Sequence, residues 1–458
     1  MDAEQADIVV IGMGPGGEDA AGRLARAGLS VVGVEVRLVG GECPYFGCVP
    51  SKMMIRAANL LAEGRRIPGM AGRAQIAADW APVAQRIRKE ATDDWDDKVA
   101  VDRFEATGGR FVRGRGKITA PGEVTVDGPD GRRVFAARRG IVINTGTDPA
   151  VPSIDGLAGT PFWTNREAIE TEQVPESLIV LGGGAIGVEL AQMFARFGAT
   201  VSVVEAESRL LVMDEPEAGQ LIEKIFQAEG IAVHTGAPAR RVSHDGASFG
   251  VDIGAGTLTA QRLLVATGRR TDLAGLGLAA IGLDDSARTI SVDDRMRAAP
   301  GVWAIGDITG RGAFTHVSMY QADIAVRDIL GAGGPAADYR AVPRVSFTDP
   351  EVGSVGLTEA QARDRGLAVR TGFVELPTSA RGYIHKAGND GFIKLISDSE
   401  RGILIGATSA GPSGGEVLGA LSVAVHAEVP VATLRSMIYA YPTFHRAIED
   451  ALRNLESA

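Results

Sequence analysis

Asp7 to Glu35 reads DIVVIGMGPGGEDAAGRLARAGLSVVGVE, and this stretch decides the fold. DIVVIG is a continuous apolar run of strand length. Gly12-Met13-Gly14-Pro15-Gly16-Gly17 is a turn that leads into an Ala-rich helix, EDAAGRLARAG. LSVVGVE is a second strand, and it ends on an acid, Glu35. A turn of this kind lets the backbone approach a pyrophosphate at a helix N-terminus, and the acid at the next strand end suits a ribose 2′-hydroxyl. A glycine-rich turn alone is weak evidence, but here strand, turn, helix, strand and acid fall in order.

The pattern occurs twice. Ser177 to Glu205, SLIVLGGGAIGVELAQMFARFGATVSVVE, aligns with the first stretch without a gap. Gly12 answers to Gly182, Gly14 to Gly184, Gly17 to Gly187, Gly28 to Gly198 and Glu35 to Glu205. Two fingerprints imply two dinucleotides, one held tightly and one exchanging. An acid at Glu205 disfavours a 2′-phosphate, so NADH is expected over NADPH. Arg209 is close enough in sequence to soften that preference, or it is a surface charge.

Gly40 to Lys52 reads GGECPYFGCVPSK and holds both cysteines of the 458-residue chain. In a regular helix, five positions give a rise of roughly 7.5 Å and about 140° of rotation. Bridged cysteines have Cα atoms about 4.4–6.8 Å apart. A bridge between Cys43 and Cys48 therefore needs a bent first turn, for which Gly47 and Pro50 are suitable breakers. Cys43 before Pro44 is placed as at a helix N-terminus, where the dipole favours a thiolate. Two inert buried cysteines are the ordinary alternative. A structural zinc site is excluded, since it needs more ligands and no His pair is near.

GGxCxxxGCxPSK resembles the active-site motif of the FAD-dependent pyridine nucleotide-disulfide oxidoreductases, the class I group that includes dihydrolipoamide dehydrogenase, glutathione reductase and mercuric reductase. The resemblance covers essentially the whole chain, with five motifs in order. It implies an α/β fold with two Rossmann-like dinucleotide-binding domains, one for FAD and one for NAD, plus an α+β C-terminal dimerisation domain. Residues 1–149 and 272–341 would form the FAD domain, 150–271 the NAD(P) domain and 342–458 the dimerisation domain.

The same resemblance assigns roles. FAD would lie against Gly12, Gly14, Pro15, Gly16, Gly17, Glu35, Gly41 and Lys52. Gly146 in GIVINTGTDP, and Gly306 and Asp307 in GVWAIGDITG, would complete its site, with Asp307 on the ribityl chain. NADH would lie against Gly182, Gly184, Gly187, Glu205 and Gly268, the last in LLVATGRRTD. Cys48 would face the flavin and Cys43 the acceptor. Lys52 would stand near flavin N5 with Glu189 as its partner, unless Glu189 is a plain helix charge. The helix that begins FTHVSMYQADIA would face the flavin pyrimidine, with His316 on its first turn as a flavin neighbour, a cap or a core residue. Asp79 to Thr107, rich in charge, reads as a solvated connecting helix.

One segment departs from the family. Disulfide-reducing members carry a His-Pro-Thr segment with a Glu five residues after the His, and this acid/base pair reaches the partner's active site in a homodimer. Here the segment is Tyr439-Ala440-Tyr441-Pro442-Thr443-Phe444-His445-Arg446-Ala447-Ile448-Glu449. Pro442-Thr443 sets the register, so Tyr441 stands at the His position and Arg446 at the Glu position. A tyrosine has an ordinary pKa near about 10, so it donates hydrogen bonds but is a poor base at neutral pH. His445 and Glu449 are four apart and could share a helix face as a substitute. Mercuric reductase also lacks the His, but that group usually carries a further C-terminal cysteine pair, and this chain ends RNLESA.

The expected enzyme is thus a homodimeric flavoprotein that passes electrons from NADH through FAD and Cys43–Cys48 to a small disulfide or thiol-type acceptor. Alternatives are a quinone reductase acting directly from flavin, a soft-metal reductase whose ion meets the thiolates, and a slow dithiol redox sensor. Composition agrees with a cytoplasmic enzyme. A net charge of −10 argues against nucleic acid and anionic membranes. No apolar run nears the roughly 18 residues of a membrane span. MDAEQADIVVIG enters a strand directly and reads as no signal peptide. Two cysteines in a large chain suit a catalytic pair in a reducing compartment.

Overall fold

The computed structural model describes residues 3–455; Met1, Asp2 and the last three residues of the RNLESA ending lie outside the described residues. In chain order the elements that matter for the site are β1 (Glu4–Ile11), α1 (Pro15–Arg26), β2 (Val31–Glu35), α2 (Glu42–Tyr45), α3 (Cys48–Arg66) and β3 (Gly131–Ile143). After them come β4 (Ser177–Leu181), α4 (Ala185–Arg196), β5 (Thr200–Val204), α5 (Pro216–Ala228) and α6 (Thr315–Leu330). The chain forms two compact units. The first holds the described residues up to Pro50, Gln85–Pro149 and Arg269–Tyr339; the second holds Ser51–Ala84, Ala150–Gly268 and the chain from Arg340 on.

In the first unit, β1 is central, parallel to β2 on one side and to β3 on the other. Parallel strands of this kind are covered on both faces and so read as unbroken apolar runs. β1 shows this: Val9 and Ile11 point into one cluster with Phe135 and Ile141, while Ile8 and Val10 pack with Ala21 and Leu24 of α1 and Ala322 and Ala325 of α6. Side chains alternate across a strand, so one strand feeds both layers. The sheet is extended by Val302–Ala304 beyond β3 and by an antiparallel meander, Arg115–Ala120 and Glu123–Gly128, that returns into β3.

The second unit repeats the motif. β4 pairs in parallel with β5 and with Arg262–Val265. The register is the same as in the first copy: Ile8 faces Val31 and Ile11 faces Val34, as Leu178 faces Val201 and Leu181 faces Val204. Downstream lies a five-stranded antiparallel sheet in the order Pro343–Ser346, Glu351–Gly356, Ile403–Gly411, Phe392–Asp398, Val369–Glu375. Helices Gly414–His426 and Ala447–Asn454 supply Leu418, Leu421, Ile448 and Leu452 to its core.

Within this unit Lys394 is buried at 5% exposure. Its ammonium lies 2.9 Å from Glu215, 2.7 Å from Glu217 and 3.0 Å from Glu359. Glu215 stands immediately before α5, and Glu359 opens the helix Glu359–Asp364, whose first N–H donates to Glu215 at 2.6 Å. One lysine therefore ties α5 to the five-stranded sheet.

The expected connecting helix between Asp79 and Thr107 is not continuous. A helix Ala81–Arg86 passes into a π-helical turn, Ile87–Ala91, and a second helix starts at Lys98. Between them Asp93, Asp94 and Trp95 all have positive φ, 48°, 55° and 58°. Three successive side chains in the left-handed region cannot continue a right-handed helix. The charge pattern was that of a solvated helix, and the break has no glycine or proline to announce it.

Candidate active site

The two glycine turns share their hydrogen bonds as well as their sequence. Gly12 N–H donates to Val34 O at 2.8 Å and Gly182 N–H to Val204 O at 2.9 Å. Glu35 accepts from Met13 N at 2.9 Å and from Arg37 N at 2.7 Å. Glu205 accepts from Gly183 N at 2.5 Å and from Glu207 N at 2.8 Å. Gly12 and Gly182 have φ of +92° and +110°, and a Cβ on either would fall within 2.4 Å of a carbonyl on the neighbouring strand. A Cβ on Gly17 or Gly187 would lie 2.0 Å from the carbonyl of Gly12 or Gly182. These glycines let helix, turn and strand close on one another.

Each turn leaves room for a ligand backbone. A Cβ on Gly14 would meet only the Asn144 amide, at 3.2 Å, and one on Gly184 would meet nothing within 4 Å. The cap residues of α1 and α4 are the glycines Gly14 and Gly184, which have no capping side chain, so apart from Gly17 N, which Asn144 takes, first-turn N–H groups remain for an anion. The two turns fit pyrophosphate groups. Pro15 occupies the first position of α1, where no N–H is needed. Gly16 packs on Ser318 of α6, the nearest atom to its would-be Cβ lying at 2.2 Å. Asn144 sits beneath the first turn, with its amide turned to accept from Gly17 N (3.0 Å) and donate to Ile305 O (3.1 Å).

Asp307 follows Gly306, which takes φ +82° with Asn144 and Ser318 against it. The Thr147 hydroxyl donates to Asp307 at 2.7 Å, and Arg269 donates to the Thr147 hydroxyl at 2.7 Å and to its carbonyl at 2.6 Å. The same guanidinium stands 3.7 Å from Glu42. A polar chain thus runs from Asp307 to the residue before Cys43. Gly41, just before it, has φ +67°, and Gly146 and Gly268 have +66° and +112° with open space around them.

The cysteine stretch bends where a breaker was expected. α2 ends at Tyr45, Gly47 lies in the break, and α3 begins at Cys48. Pro50, the other expected breaker, instead sits inside the first turn of α3, where a proline costs no hydrogen bond. Cys43 and Cys48 are both thiols. The Cys48 sulfur lies 3.5 Å from the Thr315 hydroxyl at the start of α6. The adjacent Cys48 sulfur, and burial after it, push the Cys43 thiol far above its ordinary range, while the Thr315 hydroxyl acts in the opposite sense. His316 stacks on Phe314, ring centres 5.2 Å apart.

In the second unit Lys52 donates to Glu189 at 2.7 Å, and its ammonium lies 4.6 Å from the centre of the Phe347 ring. Glu189, at 6% exposure, also accepts from Phe347 N at 2.8 Å. The expected pair forms, and Glu189 is not a plain surface charge on α4.

Arg209 is neither a surface charge nor turned toward Glu205. Its guanidinium donates to the carbonyls of Leu211 (2.8 Å), Val212 (2.9 Å) and Asp214 (2.8 Å), with Leu210 at 3.4 Å. Leu211 N–H in turn donates to Gly183 O at 2.9 Å. Both terminal nitrogens of the guanidinium are committed to carbonyls of this loop rather than aimed at a ribose 2′-position. Arg209→Ala is expected to raise the KM for NADH several-fold, leave kcat nearly unchanged and give no gain with NADPH. Steady-state kinetics with both dinucleotides would check this, and a selective loss of NADPH activity would contradict it.

At the C-terminal segment Tyr441 is 70% exposed. Arg446, at the position of the family's Glu, lies 5.5 Å from the Tyr441 ring centre and pairs with Glu449 at 2.7 Å. Glu449 also pairs with Arg453, whereas His445 faces the Thr443 hydroxyl at 3.5 Å. The substitute pair that the four-residue spacing of His445 and Glu449 allows is not assembled within the chain, where two arginines take the carboxylate. Thr315, Thr147, Asn144 and Arg269 went unassigned in the sequence. Each lies within or beside a quoted motif, but nothing in its residue type marks it out.

Residues 6–322 match the family described as pyridine nucleotide-disulphide oxidoreductase, and residues 342–452 match its dimerisation domain. Dihydrolipoyl dehydrogenase of Chlorobaculum tepidum is 34% identical, over 98% of this chain and 97% of its own length. Mercuric reductase of Streptomyces lividans is 34% identical over 98% of this chain and 96% of its own. The Cu(II) complex of RclA, an HOCl-induced flavoprotein disulfide reductase from Escherichia coli, matches with a TM-score of 0.87 at 27% identity over 99% of both chains. No helix among the described residues is long and apolar enough to cross a membrane. With its two dinucleotide turns and paired thiols, the chain belongs to the class I pyridine nucleotide-disulphide oxidoreductases, enzymes that use FAD and NAD(P)H, and it carries their dimerisation domain.

Proposed function

We propose that the protein passes electron pairs from NADH, through bound FAD, to a Cys43–Cys48 disulfide and on to a small electrophilic disulfide or related sulfur compound. The observation that carries this reading is the placement of both sulfurs around one hydroxyl, Thr315, at the break between α2 and α3. FAD supplies the two-electron link between nicotinamide and sulfur. Gly12, Gly14, Pro15, Gly16, Gly17, Glu35, Gly41, Lys52, Gly146, Gly306 and Asp307 would hold it, in residues 1–149 and 272–341. Gly182, Gly184, Gly187, Glu205 and Gly268 would hold NADH, in 150–271. Lys52, on α3 one turn after Cys48, is fixed by Glu189. Residues 342–458 would form the homodimer.

The sulfur chemistry balances without a metal or a further reductant. In the reduced pair one sulfur carries a proton and the other a charge. Cys43 attacks one acceptor sulfur and expels a thiolate. Cys48 then displaces the second thiolate from Cys43, and the Cys43–Cys48 bond re-forms. The two leaving thiolates take the proton Cys43 gave up and one from water. Tyr441, exposed in one chain, would reach a partner's site in the dimer and donate a hydrogen bond to a leaving thiolate rather than act as a base. Tyr441→Phe is therefore expected to lower kcat by only a few-fold, well short of the roughly 10²–10⁴ that a lost general base costs. A larger loss in steady-state assays would give Tyr441 a proton-transfer role.

A soft metal ion is a second acceptor reading, favoured by the likeness to mercuric reductase and by Tyr441 in place of the family's His. The test of both is an anaerobic NADH titration of wild type and Cys43→Ser. Uptake of two electrons with oxidised flavin retained and a long-wavelength band from thiolate to flavin, in wild type alone, supports the dithiol. Immediate bleaching of the flavin in both proteins would refute it. Turnover with small disulfides against turnover with thiophilic ions then separates the two readings.

A further inference from the structure

Between the strands Pro343–Ser346 and Glu351–Gly356 lies a short link whose backbone follows one face of α4. Phe347 N donates to Glu189 at 2.8 Å. One turn on, the Gln192 amide pairs with Asp349 at two points, accepting from its N–H at 2.8 Å and donating to its carbonyl at 2.9 Å. The Asp349 carboxylate accepts from Arg196 of α4 at 2.8 Å and from Arg66 of α3 at 2.7 Å. Glu189, Gln192 and Arg196 are spaced by three and four, which puts them on one helix face. The link is thus anchored at both ends of that face. Ser346, Thr348, Asp349 and Pro350 are buried, yet Phe347 among them is only half-buried. Its ring lies against the Lys52 ammonium, 4.6 Å from ring centre to nitrogen.

Lys52 has a flexible four-carbon stem and three N–H donors. Its 2.7 Å bond to Glu189 fixes one direction of the ammonium. One contact alone leaves the head free to swing about that bond, and an aromatic face on a second side stops the swing. Phe347 therefore grips both members of the pair, the carboxylate by its N–H and the ammonium by its ring. We propose that Phe347 is the positioning residue of Lys52, holding the ammonium in one orientation toward bound FAD. This inference rests on Lys52 standing beside FAD, as proposed above. A preorganised positive charge stabilises the negative charge that a flavin gains on reduction better than a mobile one does. The ring therefore favours reduced flavin at a given potential.

The test compares flavin potentials in a Cys43→Ser background, where the flavin is the one centre that takes up electrons and the state of the sulfur pair does not enter. Holoenzyme is equilibrated anaerobically with a reference dye, and the ratio of reduced to oxidised flavin is read at a fixed dye potential. Phe347→Leu removes the ring and keeps the N–H, Phe347→Tyr keeps both, and Lys52→Met removes the charge. The expected result is a ratio at least about threefold smaller than the parent's in Phe347→Leu, a larger fall in Lys52→Met, and a parental ratio in Phe347→Tyr. Should the leucine variant fail to fold, Phe347→Met carries the same comparison. A parental ratio in the ringless variant while Lys52→Met falls overturns the role of Phe347 alone, as does a tyrosine variant that falls with leucine. An unchanged ratio in Lys52→Met overturns this inference together with the placement of Lys52 beside FAD.

Discussion

Cys43→Ser is expected to lower NADH-driven reduction of a small disulfide by more than about 10³-fold, the scale of losing the nucleophile itself. A serine hydroxyl is a weak nucleophile at neutral pH and cannot form the S–S bond that returns the pair to its starting state. The flavin content should be unchanged, because none of the glycines around the first turn is touched. Assays of kcat/KM with matched flavin occupancy are the measurement. Retention of more than about a tenth of wild-type turnover would show that electrons leave the protein without passing through Cys43. The same variant tested with a quinone is expected to keep its activity, since that transfer needs no sulfur.

The largest effect on stability is expected at Lys394. Lys394→Met leaves Glu215 buried at 2% exposure with its counter-charge gone, Glu217 loses its partner, and Glu359 keeps only Arg363. Breaking a buried pair from one side typically costs about 3–5 kcal/mol. The first unfolding transition in urea should shift by that amount, and a shift below about 1 kcal/mol would contradict the reading. The pH dependence has a defined sign. Burial opposes ionisation of Glu359, but hydrogen bonds from Lys394 and Arg363 outweigh it and hold the carboxyl below its ordinary value. A lowered carboxylate contributes stability that is present above its unfolded pKa, about 4.3, and lost as pH falls through the folded value. Wild type should therefore lose stability in acid faster than Lys394→Met as pH falls through the lowered folded value of Glu359.

How far the sequence could be read depended on whether a feature was local. β1 and β4, with their turns and acids, are legible because strand, glycine and helix must follow one another within one βαβ unit, and DIVVIG must be apolar throughout to be covered on both faces. The bend at Gly47 follows from two cysteines that a straight helix would hold apart. Lys52 and Glu189 were paired only through the family resemblance, as no spacing rule joins positions so distant. Thr315 and Arg269 were invisible because a threonine at a helix start and an arginine after a glycine have many ordinary uses. Only the folded chain brings the first to Cys48 and the second to Thr147. The break at Asp93–Trp95 was missed for another reason. Its residues carry the charge pattern of a helix surface, and backbone geometry there is set by what surrounds it.

The two glycine turns are copies in backbone, yet their outer layers differ. Gly16 of the first is buried under Ser318, and Gly14 is half-covered beside Asn144. Their counterparts, Ile186 and Gly184, are half-buried and exposed, and the residue matching Asn144 is Ala266. The consequence is one of rigidity. The first turn is braced from behind by Ser318 of α6 and by Asn144, and the second lacks both braces, so two cradles alike in backbone are expected to differ in how readily they deform around an occupant.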